Sequence, residues 1–307
     1  MEKLIFEVVH GSQAFGLSEP TSDVDIKGIY VAPVSCYCGY LPSPEQIQIS
    51  KDHQRFEIRK FFRLAAEANP TMLEMLWAPE SCVIYISEAG KRIVNARSLF
   101  LSKRVADSFG SYAVSQLKRI KTHRRWLMKP PASEPKRSDF GLPERSLISH
   151  DQMGAADSLI QRGEMNDDML SPNFLDIMNR ERRYRVARRE WTQYNSWKIQ
   201  RNPSRARLEE EFGYDTKHAL HLVRLLRMSI EILATGTVVV SRPDREELLQ
   251  IKRGTWTFDA LVEYSEKISE RLNEERNRSR LPEFPDKEKL NQLCTEIVQE
   301  VQFVHGS

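Results

Sequence analysis

The chain has 307 residues, which is long enough for two domains that each bury a hydrophobic core. Hydrophobic residues make up 40% of it and charged residues 29%, a balance that excludes fibrous and disordered classes. The 46 lysines and arginines nearly balance the 43 aspartates and glutamates, so the net charge of +3 indicates no class of partner by itself.

No apolar stretch approaches the length of a membrane span, and Glu7 and His10 interrupt the first apolar run too early for a secretion signal. The cysteines match neither a zinc-binding spacing nor a redox pair, and they are too few for a disulfide scaffold. They are Cys36, Cys38, Cys82 and Cys294. We therefore expect a protein of the reducing cytoplasm.

Two apolar runs near the start of the chain enclose a polar segment. Residues 4–9 lead into Gly11-Ser12, and residues 29–34 follow Asp23 and Asp25. This order predicts a strand, a tight turn, a connecting segment and a second strand. Because Asp23 and Asp25 are one residue apart, an extended backbone would place both carboxylates on one face.

The same segment predicts a site for a metal and a phosphate. Two neighbouring carboxylates are costly unless a cation neutralises them, and hard oxygen ligands suit Mg²⁺ or Mn²⁺. Gly11 and Gly16 permit close approach of the backbone, and a helix beginning after Ser12 would offer free N–H groups to a phosphate. A metal beside a phosphate site predicts phosphoryl or nucleotidyl transfer.

A third carboxylate would complete the set needed to hold two metals. Asp52 lies near the start of a short predicted strand at 51–56 and is one candidate. Glu57 is the other, although it also suits the first turn of the helix predicted at 57–66. Asp23 and Asp25 could instead be surface turn residues, since Ser22-Asp23 is a common turn start, but their position between two apolar strands, just after a Gly-Ser turn, favours the metal site.

The rest of the chain is mainly predicted as helix. Helices are expected at 72–77 with Thr71 as N-cap, at about 88–128, and at 173–200, 216–234, 244–252, 257–277 and 286–303. Residues 129–172 contain several prolines and are predicted to form a long loop or insertion with a short helix near 155–162. Gly236 is expected to end its helix, and residues 237–240 to form a small strand.

Basic residues are concentrated on two of these helices, where they are candidate RNA contacts. They are Lys118, Arg119, Arg124, Arg185, Arg188 and Arg189. Basic grooves with interleaved aromatic residues suit RNA backbones and unpaired bases, although a solvated helix face explains the charges equally well. Tyr184, Trp191 and Trp197 are expected to pack in a core rather than stack on bases.

Lys217, His221 and Arg224 share one face of the helix predicted at 216–234. A cation in the first turn, such as Lys217, opposes the helix dipole unless an anion is bound nearby. These three residues are therefore predicted to contact a triphosphate, with a solvated basic stripe as the alternative. His218 and His221 lack an evident third metal ligand, so packing or phosphate contact is expected for them.

Several motifs together resemble the DNA polymerase beta superfamily of nucleotidyltransferases, and within it the RNA-ligase-associated (RlaP-like) branch. The first are His10-Gly11-Ser12-Gln13-Ala14-Phe15-Gly16 and Ser22-Asp23-Val24-Asp25-Ile26-Lys27-Gly28-Ile29. The others are Arg59-Lys60-Phe61, Asn69-Pro70-Thr71-Met72-Leu73-Glu74, Trp197 with Arg201-Asn202, and the segment 213–224. The resemblance spans most of the chain and leaves 129–172 unassigned.

The resemblance implies an α+β fold: a polymerase-beta-like nucleotidyltransferase domain with a small mixed sheet, followed by an α-helical C-terminal domain. The expected segments are a catalytic domain at 1–128, an insertion at 129–172 and a helical nucleotide- and substrate-binding domain at 173–307. In the family pattern Gly11 and Ser12 hold the triphosphate, Asp23 and Asp25 bind metal, and a third acid, here Asp52, acts on the incoming hydroxyl.

The predicted function is metal-dependent transfer of a nucleoside monophosphate from an NTP to an acceptor hydroxyl, with release of pyrophosphate. An RNA end is the favoured acceptor, with tRNA among the candidates. Two alternatives remain open, which are nucleotidylation of a protein side chain and a non-catalytic RNA-binding module.

Overall fold

The computed structural model describes residues 2–20, 22–40, 42–146, 148–163 and 171–303. The strands are β1 (Lys3–His10), β2 (Asp25–Val31), β3 (Gln46–Ser50), β4 (His53–Glu57) and β5 (Val83–Ile86). The helices are α1 (Ser35–Cys38), α2 (Ile58–Ala66), α3 (Pro70–Leu76), α4 (Glu88–Asn95), α5 (Arg104–Met128), α6 (His150–Gln161), α7 (Pro172–Gln200), α8 (Pro203–Phe212), α9 (Thr216–Thr235), α10 (Arg245–Lys252), α11 (Phe258–Arg278) and α12 (Lys287–Phe303).

The five strands form one mixed sheet in the order β3-β4-β2-β1-β5. β2 runs parallel to β4, while the other neighbouring pairs are antiparallel. Ile5, Phe6 and Val8 of β1 are buried because this strand has a neighbour on each side and helices packed over it. A small mixed sheet followed by helices confirms the predicted α+β, polymerase-beta-like fold.

Two compact units divide the chain. Residues up to Lys121 and residues from Phe212 onward form the first unit, and Thr122–Glu211 form the second. The first unit therefore joins the sheet to helices that come from the far end of the sequence. The predicted segments 1–128, 129–172 and 173–307 describe roles rather than packing, and they remain predictions.

Helix α9 is the central helix of the first unit. Fourteen of its residues are buried, so it is apolar nearly all round, as a core helix must be. Helices α10 and α11 pack against it, and α12 packs against α2 and α4. Its ends follow the sequence prediction, since Asp215 caps the start and Gly236 ends it with a φ of 70°.

The second unit has a core of aromatic and apolar side chains. The ring centroids of Trp126 and Trp197 lie 5.5 Å apart, and Tyr194 packs within 5.9 Å of both. Tyr184 and Tyr194 are buried, while Trp191 and Trp197 are half-buried. The packing expected for the aromatic residues of α7 is confirmed for the two tyrosines.

The helix predicted at about 88–128 is broken. α4 ends at Asn95, a 3₁₀ turn covers Arg97–Phe100, and α5 begins at Arg104. Phe100 and Leu101 are buried at the break, and the N–H of Lys103 donates to the carbonyl of Pro282. Tertiary packing and this long-range hydrogen bond therefore replace the helical bonds that local periodicity predicted.

Three smaller differences have local causes. Asn69, not Thr71, caps α3, because Pro70 occupies its first turn. Residues 238–240 are not a strand, since no neighbouring strand pairs with them in the described ranges, although Val238 and Val240 are buried. α8 was not predicted, and it begins at Pro203, where the proline suits a first helical position.

Helix α4 lies so close to β1 that its glycine has no space for a side chain. A Cβ at Gly90 would overlap the carbonyl oxygen of Ile5, whereas a Cβ at Gly154 in α6 would meet nothing within 4 Å. We expect Gly90→Ala to destabilise the fold by at least about 1 kcal/mol, because backbone must move to accommodate the methyl group.

Gly154→Ala is the matched control and should stabilise α6 by up to about 1 kcal/mol through helix propensity alone. Urea denaturation followed by circular dichroism measures both changes. Equal effects at the two positions would show that the contact between Gly90 and Ile5 is not tight.

Candidate active site

The Gly-Ser motif forms a single hydrogen-bonded turn, not the helix expected after Ser12. Within it the N–H of Phe15 donates to the carbonyl of Gly11, and the N–H of Leu17 donates to that of Ser12. Gly11 and Gly16 have φ values of 72° and 70°, which glycine adopts readily. We call residues 11–16 the glycine turn. Because the backbone is left-handed at both ends of this turn, the turn does not continue into a helix. The first N–H groups of the turn can still donate to a bound ligand.

The glycine turn lies directly against the carboxylate of Asp25. His10 and Asp25 are cross-strand partners at the ends of β1 and β2, so their side chains share a face of the sheet. A Cβ added to Gly11 would lie 2.6 Å from Oδ2 of Asp25. A side chain at position 11 would therefore have to displace this carboxylate as well as adopt a left-handed backbone.

The strand register places Asp52 beside Asp25. The N–H of Ile26 donates to the carbonyl of Asp52 over 2.7 Å, and Ile26 pairs with His53. Asp25 and Asp52 thus begin neighbouring parallel strands at the same edge of the sheet. Both residues are half-buried.

Glu57, the competing third acid, lies elsewhere. It pairs with Tyr30 at the other end of β4, and the alternation along the strand puts it on the opposite face from Asp52. Its carboxylate caps α2 by accepting from the N–H groups of Arg59 and Lys60, and it also accepts from the hydroxyl of Tyr37. These bonds give Glu57 a structural role.

Asp23 is exposed in the irregular segment before β2. In the part of the chain that the structure describes, no three His, Cys, Asp or Glu side chains converge as a metal-binding group. The donor chemistry nevertheless fits a hard divalent cation, since Asp25 and Asp52 supply carboxylate oxygens at one edge of the sheet and Asp23 lies two residues from Asp25.

Glu74 of α3 is a buried carboxylate behind the glycine turn. It is 2% exposed, and it pairs with the guanidinium of Arg224 from α9. His10 Nε2 lies 3.1 Å from its Oε2. The guanidinium of Arg224 also lies 3.7 Å from the ring centroid of Phe15, a residue of the glycine turn. We call His10, Glu74 and Arg224 the buried ion cluster.

The buried ion cluster keeps Glu74 ionised. Burial raises the pKa of Glu74, but the charge of Arg224 and the hydrogen bond with His10 outweigh it and lower the pKa to about 2 from its ordinary 4.5. The carboxylate is therefore a fixed negative charge that holds His10 and Arg224 beside the glycine turn.

Residues from the C-terminal part of the first unit form further bonds with the glycine turn and with the residues that follow it. The N–H of Arg242 donates to the carbonyl of Phe15 over 3.1 Å, and Nε of Arg245 donates to the carbonyl of Gly16. Lys252 forms an ion pair with Glu19, and this bond lowers the pKa of Glu19. The glycine turn is thus fixed by residues more than 200 positions away in sequence.

The three predicted triphosphate contacts on α9 lie in different environments. Lys217 is exposed in the first turn, His221 is half-buried, and Arg224 is buried in the ion cluster. Arg224 therefore contacts the glycine turn through Phe15 and does not extend freely toward solvent. His218 packs against Asp215, with Nδ1 2.8 Å from Oδ2.

The candidate RNA contacts fall in both units. Lys118 and Arg119 are exposed on the part of α5 that belongs to the first unit, whereas Arg124 lies in the second unit. Arg185, Arg188 and Arg189 share one face of α7 by their spacing, and Arg188 donates to the hydroxyl of Tyr184. Their binding of RNA remains a prediction.

The sequence prediction missed the roles of His10, Phe15 and Glu74, although all three lie within the motifs that carried the family resemblance. The available signal was Glu74 itself, a lone charge in the otherwise apolar run Met72–Leu76. A charge on a buried helix face requires a partner, but the sequence does not say which residue supplies it.

Replacing Gly11 tests the contact between the glycine turn and Asp25. Gly11→Ala adds left-handed strain of about 1–2 kcal/mol and must also displace the Asp25 carboxylate, whose side chain can rotate, so the loss of stability should be modestly larger than that of strain alone. Gly163→Ala is the matched control, since Gly163 has a φ of 71° and open space around it. Chemical denaturation would contradict the contact if both variants lost the same stability.

The buried ion cluster predicts an acid-dependent loss of stability. Because the folded pKa of Glu74 is lowered, its contribution is fully present above about pH 4.5 and is lost as the pH falls toward 2. The difference in free energy of unfolding between wild type and Glu74→Gln should therefore shrink by about 3 kcal/mol over this range.

Glu88→Gln, at an exposed position of α4, provides the control. Its difference from wild type in free energy of unfolding should not change with pH. If the difference in free energy of unfolding between wild type and Glu74→Gln also stays constant between roughly pH 5 and pH 2, Glu74 is not held ionised.

The chain is 24% identical to the "Uncharacterized 38.9 kDa protein in nrdC-mobD intergenic region" of Enterobacteria phage T4, over 298 residues and 88% of each chain. No solved structure matches it. Residues 2–131 match the family described as "RlaP: RNA repair pathway DNA polymerase beta family", and this range includes the glycine turn and all the candidate carboxylates. The match over residues 2–131 supports the RlaP-like resemblance of the motifs, and the name of the matched family points to a DNA-polymerase-beta-like nucleotidyltransferase.

Proposed function

We propose that this protein is a metal-dependent nucleotidyltransferase that transfers a nucleoside monophosphate from an NTP to an acceptor hydroxyl and releases pyrophosphate. The observation that carries the proposal is the glycine turn packed against Asp25, with Asp52 on the neighbouring strand end. A phosphate-binding turn beside carboxylates is the arrangement that this reaction requires.

The proposed reaction divides among residues at this edge of the sheet. The leading N–H groups of the glycine turn, together with Ser12, would hold the triphosphate. Asp52 would accept the proton as the acceptor oxygen attacks the α-phosphorus, while the bond to pyrophosphate breaks. Asp23, Asp25 and Asp52 would bind Mg²⁺ or Mn²⁺, which when bound polarises the phosphate and stabilises the leaving pyrophosphate.

Arg224 and His10 would act as positioning residues. Their side chains contact Glu74 and Phe15, so they fix the glycine turn without reaching the reacting atoms. Lys217 is exposed at the start of α9 and remains the candidate for direct contact with a phosphate.

An RNA end is the acceptor that we propose, with tRNA among the candidates. The family of residues 2–131 is named for RNA repair. The basic faces of α5 and α7 supply exposed charges suited to an RNA backbone. A protein side chain as acceptor and binding of RNA without catalysis are the competing outcomes.

Transfer of label tests the proposal. The full chain is incubated with each α-³²P-labelled NTP, Mg²⁺ or Mn²⁺, and total RNA. We expect label in RNA, and Asp25→Asn should reduce it to background. Asp52→Asn should slow transfer by about 10²–10⁴-fold, the contribution of a general base.

Asp107→Asn is the control, because Asp107 is exposed on α5 and away from the carboxylates. It should transfer at the wild-type rate. Label in protein would assign the acceptor to a side chain. No label in any fraction, with RNA still bound, would contradict catalysis.

A further inference from the structure

A cavity lies away from the candidate carboxylates, between α2, the start of α5 and the start of α12. Its volume is about 460 Å³, within the range of sites for small ligands. Four cations and one carboxylate line it, in a chain whose charges nearly balance overall. They are Arg59, Arg63, Arg104, Lys287 and Glu67.

The floor of this cavity is apolar. Phe62 and Leu290 are buried beneath it, and Ala66 and Pro285 complete the surface. Burial raises the pKa of the Cys294 thiol to about 12, so this side chain remains neutral and adds to the apolar wall. A ligand that fits must therefore combine an apolar body with a negative charge.

Arg59 and Arg63 at the rim of the cavity both have carboxylate partners, and Nε of Arg59 lies 3.3 Å from Oε2 of the buried Glu57. Arg63 pairs with Glu45 over 2.9 Å, but both side chains are more than half exposed, so the pair is weak and can be exchanged. Arg59 lies 4.5 Å from the ring centroid of Tyr37 and keeps a planar guanidinium beside the cavity.

Arg104 and Lys287 are the first residues of α5 and α12. At α12 the helix N-terminus is already capped by a carboxylate, since Oδ1 of Asp286 accepts from the N–H of Lys289. Lys287 therefore offers its own positive charge to the cavity, alongside Arg104 and the two arginines of α2.

This cavity is distinct from the candidate active site. Arg59 follows β4 at the end opposite to Asp52, and Glu57 at that end is five positions from Asp52, or about 17 Å along the strand. The residues that line the cavity include none of the candidate catalytic or triphosphate-binding residues.

We propose that this cavity binds one nucleoside phosphate, with the base against Phe62 and Leu290 and the phosphate held by Arg63, Arg104 and Lys287. Guanidinium groups form bidentate bonds with phosphate and stack on planar rings, so both parts of a nucleotide find partners. The choice of a nucleotide among phosphorylated compounds rests on the proposed function. Its source is a free nucleotide or one unit of an RNA strand.

Isothermal titration calorimetry of the full chain tests the proposal. The probes are AMP, GMP, CMP and UMP, a 5′-phosphorylated single-stranded RNA oligonucleotide, and inorganic phosphate. Arg63→Ala combined with Lys287→Ala should weaken nucleotide binding at least about tenfold, because two charged hydrogen-bonding groups are lost. For the oligonucleotide, the dependence of log K on log salt should also decrease.

Lys91→Ala combined with Lys289→Ala removes the same charge from exposed positions outside the cavity and should bind as wild type. Tighter binding of the oligonucleotide than of any mononucleotide would assign the site to a strand, and the reverse would assign it to a free nucleotide. Binding unchanged in the Arg63 and Lys287 variant, or no binding by wild type, would overturn the proposal.

The same titrations with Asp25→Asn separate this proposal from the proposed function. The variant should lose label transfer but keep the nucleotide binding that depends on Arg63 and Lys287. Binding lost in Asp25→Asn and retained in the Arg63 and Lys287 variant would place the nucleotide at the catalytic carboxylates and contradict a second site.

Discussion

The buried carboxylate of Glu74 is the constraint on which the candidate site depends. Removing a carboxylate from water costs several kcal/mol unless cations and hydrogen bonds compensate it. Here the compensation comes from His10 at the end of β1 and Arg224 in the central helix α9. Because Arg224 also lies on the ring of Phe15, the ions that keep Glu74 charged also fix the glycine turn.

The residues that match the family model do not hold the candidate site in place by themselves. Residues 2–131 contain the glycine turn and the carboxylates, yet the turn receives hydrogen bonds from Arg242 and Arg245. Arg242 is itself buried and held by Glu231 and Asp244. The helices after residue 212 therefore help to shape the glycine turn, and they belong to the same compact unit as the sheet.

The sequence correctly predicted features that depend mainly on residues close together in the chain. The strands around the Gly-Ser motif and both ends of α9 follow from alternation and capping residues. Glu74 and Arg224 are 150 positions apart, so no local pattern could pair them. Periodicity correctly placed Arg224 on a helix face with Lys217, but it could not show that core packing would bury one and expose the other.

The three aspartates illustrate the same limit in chemical terms. Strand register brings Asp25 and Asp52 to one edge of the sheet, because hydrogen bonds between β2 and β4 fix their spacing. In the described part of the segment before β2, strand pairing does not extend to Asp23, which is exposed. Like charges repel at short range, so an exposed Asp23 lowers the electrostatic cost of keeping Asp25 and Asp52 ionised side by side. Under the proposed function, drawing Asp23 toward Asp25 would therefore form part of the free energy of metal binding, whereas the glycine turn is already in place.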